Sequence, residues 1–253
     1  MASIEDAKRA IDILKNAGMT RINFSGGEPF LKPKMLGQMI THAYENGISP
    51  SVVSNGSLIR EKWMNRYGHM LDAVAISCDS FDPVTLFEIG RYAPSRDHLQ
   101  QMHNVREWCN RHGILFKINT VVCEPNKYET MSEIKQLHPD RWKVFQCLLI
   151  DGENAGPRAL ANGESMVVSE EEFDQFVSRH ADIPQIVPEN NTTMRNSYII
   201  MDEDLCLLDN SQGSKRQTVS VLDDVHEALT ECGFDADAFR KRSGEWITEK
   251  VVW

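Results

Sequence analysis

RINFSGGEPFLKP, residues 21–33, is the stretch on which the reading of this chain turns. Its first four residues alternate polar and apolar, as a strand with two different faces does. Gly26 and Gly27 follow at once and allow positive φ and close approach of a ligand to the backbone. Pro29 stiffens the chain beside the Glu28 carboxylate, and residues 34–45 read as the helix beyond. Strand, tight turn and helix make one βα unit. At such a turn the exposed carbonyls and the carboxylate can together surround an ammonium group. A plain βα turn with Glu28 near a helix start is also compatible with these residues.

Working outward, strand signals recur at 51–54, 73–78, 115–122 and 142–150, with helical stretches at 58–67, 96–111 and 129–137 between them. An amphipathic helix over 4–17, with Ala7, Ile11 and Leu14 on one face and Gly18 as its stop, comes first. Strands separated by helices of this length imply parallel βαβ units. The expected core is therefore an α/β partial barrel over residues 1–150. Beyond Gly152, a loop rich in Gly, Asn and Pro leads to a helix over 169–180 with Ser169 as its N-cap. An irregular VPENNTT segment, a strand over 197–201, two short helices and a mixed tail complete the chain. Residues 151–253 are thus expected as a C-terminal extension packed on the barrel and closing its substrate site.

The totals narrow the function. With 253 residues the chain is long enough for one large α/β domain. A net charge of -10 argues against a nucleic-acid polymer or an anionic membrane as partner. The six cysteines lie far apart, without a C-x-x-C pair, and read as buried free thiols of a reducing, cytoplasmic setting. No apolar run approaches the ~20 residues of a membrane span, and Met1 is not followed by a signal-peptide pattern. The histidines show no metal-ligand spacing, so no metal site is expected from them. G-x-S-x-G, Walker and G-x-G-x-x-G patterns are lacking, which weakens hydrolase, P-loop kinase and Rossmann dehydrogenase readings.

Three strands carry polar groups two residues apart: Arg21 and Asn23, Lys117 and Asn119, Arg141 and Lys143. Strand side chains alternate between faces, so each pair points one way while Ile22, Ile118 and Trp142 point the other. Helices cover the outside of a barrel, which places the polar pairs inside. Gathering cations there demands anionic compensation. Internal carboxylates such as Asp79 or Glu28 could provide it. A triphosphate carries roughly the matching charge, gains charge-assisted hydrogen bonds from Lys and Arg, and suggests a cavity for a phosphorylated small molecule.

NFSGGEPFL resembles the GGEP motif of radical S-adenosylmethionine (SAM) enzymes. VVSNGSLI, AISCDSFD, IGR, FKINTVV, RWKVFQCLLIDGEN and SYIIMDE follow in the order and approximate spacing of the viperin-like antiviral branch, so the resemblance spans nearly the whole chain. It implies a partial (β/α)6 radical-SAM barrel whose first strand and cluster loop are absent here, with a C-terminal extension. It also implies a lyase-type enzyme that converts CTP, UTP or GTP to the 3′-deoxy-3′,4′-didehydro analogue. In that chemistry a reduced [4Fe–4S] cluster cleaves SAM, the resulting radical removes the ribose 4′ hydrogen, and the 3′ hydroxyl departs. Residue by residue, Gly26, Gly27 and Glu28 would hold the SAM amino group, and Ser77 and Arg91 its ribose and carboxylate, with Ser54 and Asn55 alongside. Arg21, Asn23, Ser25, Lys117, Asn119, Arg141, Lys143 and Tyr198 would surround the triphosphate. Lys117 or Tyr198 would act as proton donor to the departing hydroxyl.

Several positions depart from the pattern. Arg21 stands where Lys is expected, keeping charge but changing the donor geometry. The C-x-x-x-C-x-x-C motif that binds the cluster is not in this sequence, and Met1 falls where the helix after that loop begins. Either the chain is a piece of something longer, or it is a cluster-less relative that binds nucleotide or SAM, or serves as a scaffold, without catalysis. A different radical-SAM activity such as peptide modification is a further alternative. The resemblance implies an electron donor as partner. Trp253 matches the terminal Trp that recruits cytosolic iron–sulfur assembly machinery, although the valines before it differ from the usual acidic neighbour.

Overall fold

The computed structural model describes residues 2–92, 97–150, 154–156, 163–209, 211 and 215–242. In chain order the helices are α1 (Ile4–Asn16), α2 (Pro33–Glu45), α3 (Glu61–Tyr67), α4 (Pro83–Glu88), α5 (His98–His112), α6 (Glu133–Leu137), α7 (Glu170–Arg179), α8 (Asn191–Met194), α9 (Val225–Glu231) and α10 (Ala236–Lys241). The strands are β1 (Arg21–Phe24), β2 (Ser49–Ser54), β3 (Ala73–Ser77), β4 (Leu115–Val122), β5 (Arg141–Gln146), β6 (Ile186–Glu189), β7 (Cys206–Asp209) and β8 (Arg216–Ser220).

Two compact units result. One comprises Thr20–Cys147 and Ser165–Pro188; the other comprises Met1–Met19, Leu148–Glu164 and Glu189–Trp253. The larger unit is built on a sheet ordered β1-β2-β3-β4-β5-β6, in which β1 to β5 pair in parallel. Strand alternation explains its two faces. On β4 the even positions Phe116, Ile118, Thr120 and Val122 are buried and the odd ones only partly so. Their partners in the core are Val52, Val74, Trp142 and Val144, together with Leu36 and Ile40 of α2, Met102 and Val105 of α5, and Phe173 and Phe176 of α7. Trp142 is fully buried; its indole N–H donates to Thr120 Oγ1 at 2.9 Å, and its ring meets His180 edge-on at 5.1 Å. Both ring nitrogens of His180 are engaged: Nε2 accepts from the Met131 N–H at 3.0 Å, and Nδ1 lies 2.8 Å from the Phe176 carbonyl.

The smaller unit joins the start of the chain to its later part. α1 begins at Ser3, whose hydroxyl accepts from the Asp6 N–H. Its buried stripe includes Ala10 and Leu14, which pack with Leu205, Leu207, Val221, Ala228 and Cys232 around the antiparallel β7–β8 pair and α9.

Several expectations need correction. The VPENNTT segment is not wholly irregular, because Val187, Pro188 and Glu189 lie in β6 at the end of the sheet, a position where proline's missing donor is tolerated, and Asn191 to Thr193 lie in α8. Residues 197–201 do not form a strand: Ser197 turns back with both its N–H and hydroxyl on the Met194 carbonyl. Only Met201 forms an isolated bridge, with Leu207. The β7–β8 hairpin was not legible from the sequence pattern, and neither was α4, whose start is capped by Asp82 ahead of Pro83. β5 ends at Gln146 rather than 150. The units also group residues differently from a division at 150, since α7 packs on the larger sheet while α1 packs on the C-terminal hairpin.

Gly37 in α2 supplies a stability test. An added Cβ there would lie 2.4 to 2.8 Å from the Tyr67 ring. Gly37→Ala, ordinarily favourable in a helix by about 1 kcal/mol, is therefore expected to destabilise by about 1–3 kcal/mol. Urea denaturation should show this, with recovery in the Gly37→Ala/Tyr67→Leu double variant.

Candidate functional site

The C-terminal ends of β1, β2 and β3 lie side by side in the register, where Phe24 pairs with Val52 and Ser54 with Ile76. The Gly26-Gly27 turn leaves the end of β1 exposed. Gly27 sits at φ 58, in the left-handed region, and neither glycine would have an atom within 4 Å of an added Cβ. The turn backbone is open to approach.

The Glu28 carboxylate clasps two strand ends. Oε1 accepts from the Ser54 hydroxyl at 2.8 Å and from the Phe30 N–H at 3.0 Å, while Oε2 accepts from the Asn55 N–H at 2.9 Å. Ser54 Oγ in turn accepts from the Gly56 N–H at 2.9 Å. A carboxylate has about four acceptor positions. Three are taken here, which fixes its orientation and leaves Oε2 able to accept one more donor.

Beyond β3, Asp79 is buried and Arg91 is half-exposed, and Arg91 Nε lies 2.5 Å from Asp79 Oδ2. Asp79 Oδ1 accepts from the Val121 N–H at 2.8 Å. Burial pushes the Asp79 carboxyl up from the ordinary range, opposed by Arg91 and the Val121 hydrogen bond. Burial holds the nearby His98 imidazole below its usual value.

The third element is the odd-numbered face of the sheet. Lys117 sits directly opposite Arg141, and Asn119 opposite both Ser77 and Lys143. Between β4 and β1 this face carries only small or apolar groups, Ala73, Ala75, Ser51 and Val53. Arg141 is buried, Lys117 and Lys143 are half-buried, and Arg21 and Asn23 are exposed. Burial, followed by repulsion from Arg141, Lys143 and Arg21, pushes the Lys117 ammonium down from 10.5 to about 8, against a smaller opposing pull from Asp72. The buried Oδ1 of Asn119 has no hydrogen-bond partner. Such a surface favours an anion, and an amine titrating near 8 can hold or release a proton close to neutral pH.

The larger unit thus contains Arg21, Asn23, Ser25, Gly26, Gly27, Glu28, Ser54, Asn55, Ser77, Arg91, Lys117, Asn119, Arg141 and Lys143. Tyr198 belongs to the other unit, where its hydroxyl donates to the buried Glu189. The Arg242 guanidinium stacks over the Tyr198 ring at 3.7 Å. Sequence reasoning passed over His98 and gave Asp79 no specific partner; the AISCDSFD block marked the place but not the contacts. Among the described residues, no group of three or more His, Cys, Asp or Glu side chains could hold a metal ion. The cysteines are free and mostly buried, with burial pushing Cys109 and Cys123 up to about 12. These thiols do not suit a cluster that needs thiolates. No helix of the described residues is long and apolar enough to cross a membrane.

The Radical SAM superfamily profile matches residues 1–138. The S-adenosylmethionine-dependent nucleotide dehydratase RSAD2 of Siniperca chuatsi is 48% identical over 254 residues, covering 98% of this chain and 72% of that protein. The protein of the same description from Danio rerio is also 48% identical, covering 98% and 71%. Among solved structures, anSMEcpe with bound AdoMet matches 95% of this chain and 73% of its own at a TM-score of 0.63 and 14% identity, a likeness of fold.

Lys117 gives a signed prediction. Its folded value lies below its ordinary one, so charging it opposes folding fully below pH 8, and this cost fades as pH rises from about 8 to 10.5. Lys117→Met is therefore expected to stabilise the ligand-free protein at pH 7 by on the order of 1–2 kcal/mol. Denaturant titrations across that pH range should show the gain shrinking. A gain independent of pH would refute the electrostatic origin.

Proposed function

The chain belongs to the radical SAM superfamily and, within it, to the S-adenosylmethionine-dependent nucleotide dehydratases, and we propose that it takes a ribonucleoside triphosphate to its 3′-deoxy-3′,4′-didehydro analogue as a viperin-like antiviral enzyme. The observation that carries the substrate assignment is the depressed Lys117 among Arg21, Arg141 and Lys143. Three guanidinium or ammonium groups around a fourth form a surface that phosphoryl oxygens neutralise. Asn23, Ser25 and Asn119 complete the set in the larger unit proposed to surround the nucleotide; the assignment of Tyr198 to the nucleotide rests on the family resemblance. CTP, UTP and GTP are the substrates this reading admits.

SAM is the proposed cofactor, and when bound it would supply the hydrogen-abstracting chemistry at the ribose. The residues present fit it: the open Gly26-Gly27 backbone and the remaining acceptor position of Glu28 suit its ammonium. Ser54 and Asn55 lie beside that contact, Ser77 is assigned to the ribose, and Arg91 to the carboxylate. The [4Fe–4S] cluster expected of the family does not fit any thiol set among the described residues. The chain's own contribution is positioning and charge. Lys117 stores a proton at Nζ within reach of pH 8, and donating it to the departing 3′ hydroxyl is its proposed role. An electron donor and, through Trp253, the cytosolic iron–sulfur assembly machinery are the partners in this reading, with a cytoplasmic location. Trp253 lies outside the described residues.

Proton linkage tests the reading. A bound triphosphate favours the charged amine, so CTP, UTP or GTP binding at pH 8 should take up a fraction of a proton, about half at most. Calorimetry in buffers of different ionisation enthalpy measures that uptake. The expected result is uptake in the unaltered protein and its loss in Lys117→Gln, with weaker binding. Failure of all three nucleotides to bind would overturn the substrate assignment.

A further inference from the structure

We propose that Asp79 is a positioning residue: by gripping Arg91 through Nε, it aims the free edge of that guanidinium at the carboxylate of an amino-acid-bearing nucleoside. The inference rests on the reading of Arg91 as a cofactor contact and deepens it. Asp79 is held from two sides, by the Val121 N–H on Oδ1 at 2.8 Å and by Arg91 Nε on Oδ2 at 2.5 Å. Its side chain is 3% exposed, whereas that of Arg91 is 46% exposed. The anchor is therefore inside the protein and the anchored group reaches out of it.

The point of attachment decides what remains. A guanidinium presents five N–H donors in a flat fork. Pinning it at Nε leaves the two terminal nitrogens as a parallel pair, the geometry that takes a carboxylate with two hydrogen bonds. Arg91 forms no other ion pair or side-chain hydrogen bond among the described residues. The backbone end of the residue is fixed as well. Gly90, at φ 78, closes α4 with its N–H on the Phe87 carbonyl, and the Arg91 N–H then bonds the Leu86 carbonyl at 2.8 Å. With both ends of the side chain held, little rotamer freedom is left to lose when a ligand arrives.

The surroundings support a positioning role. Burial of a carboxylate opposes its ionisation, so an Asp at this depth costs stability unless its partners restore it. An apolar residue would fill the space without that cost. Arg91 is the cation paired with Asp79, and burial holds the nearby His98 imidazole below its usual value.

Two ligands separate this role from general stability. S-adenosylhomocysteine carries the amino-acid carboxylate; 5′-methylthioadenosine has the same nucleoside and sulfur without it. Binding of each to the unaltered chain, Asp79→Asn, Arg91→Ala and the double variant is measured by calorimetry. The expected result is that Asp79→Asn weakens S-adenosylhomocysteine by about tenfold or more and leaves methylthioadenosine within about twofold. In the Arg91→Ala background, Asp79→Asn should have no further effect. Equal weakening of both ligands, or an undiminished effect of Asp79→Asn without Arg91, would overturn the proposal as a mere loss of folding. If Arg91→Ala leaves both affinities unchanged, or the unaltered chain binds neither ligand, the assignment of Arg91 fails and the inference falls with it. A selective effect of Arg91→Ala with none from Asp79→Asn overturns the inference alone.

Discussion

Crowding of like charges on one face of a parallel sheet is the constraint around which this protein is arranged. Lys117 and Arg141 are register partners, so their side chains leave adjacent strands at the same level. No rotamer change moves their origins apart. Like charges directly opposed on a sheet repel, and here Lys143 and Arg21 add to the effect. The rest of the chain is acidic, which makes the local excess of cations a property of the site rather than of the composition.

The cations sit on the odd-numbered face because the even-numbered residues have no freedom to be elsewhere. Phe116, Ile118, Trp142 and Val144 are needed beneath the helices, where they are fully buried. A one-residue slip of β4 or β5 would put ammonium groups into that core. Packing on one face therefore enforces the electrostatic arrangement on the other. On β3 the same face carries the small residues Ala73 and Ala75, with Ala75 directly opposite Lys117.

This coupling also explains what could be read without coordinates. Polar pairs two apart on β1, β4 and β5 are visible in the letters because a period of two is a local property. The Glu28 turn was legible as a special place, but not its contacts. The Ser54 hydroxyl and the Asn55 N–H that bind its carboxylate arrive from another strand, 26 and 27 residues away. The same holds for Asp79 and Val121, 42 residues apart. The missed elements are short and take their definition from neighbours. β6 is a strand because an edge of the sheet receives it, and Ser197 leaves the extended path because its hydrogen bonds turn back to Met194. Periodicity reports neither partners that lie far along the chain nor a local turn made by side-chain hydrogen bonds.

The packing of α1 has a consequence for how the molecule is made. Its apolar stripe, Ala10 and Leu14, is covered by Leu205, Leu207, Val221 and Ala228. On a ribosome, α1 emerges well before its cover, which is synthesised nearly two hundred residues later. At ~5–20 residues per second, that interval is roughly 10–40 seconds. Throughout it the nascent helix presents a greasy ridge with no native mate, a natural client for the chaperones waiting at the exit tunnel.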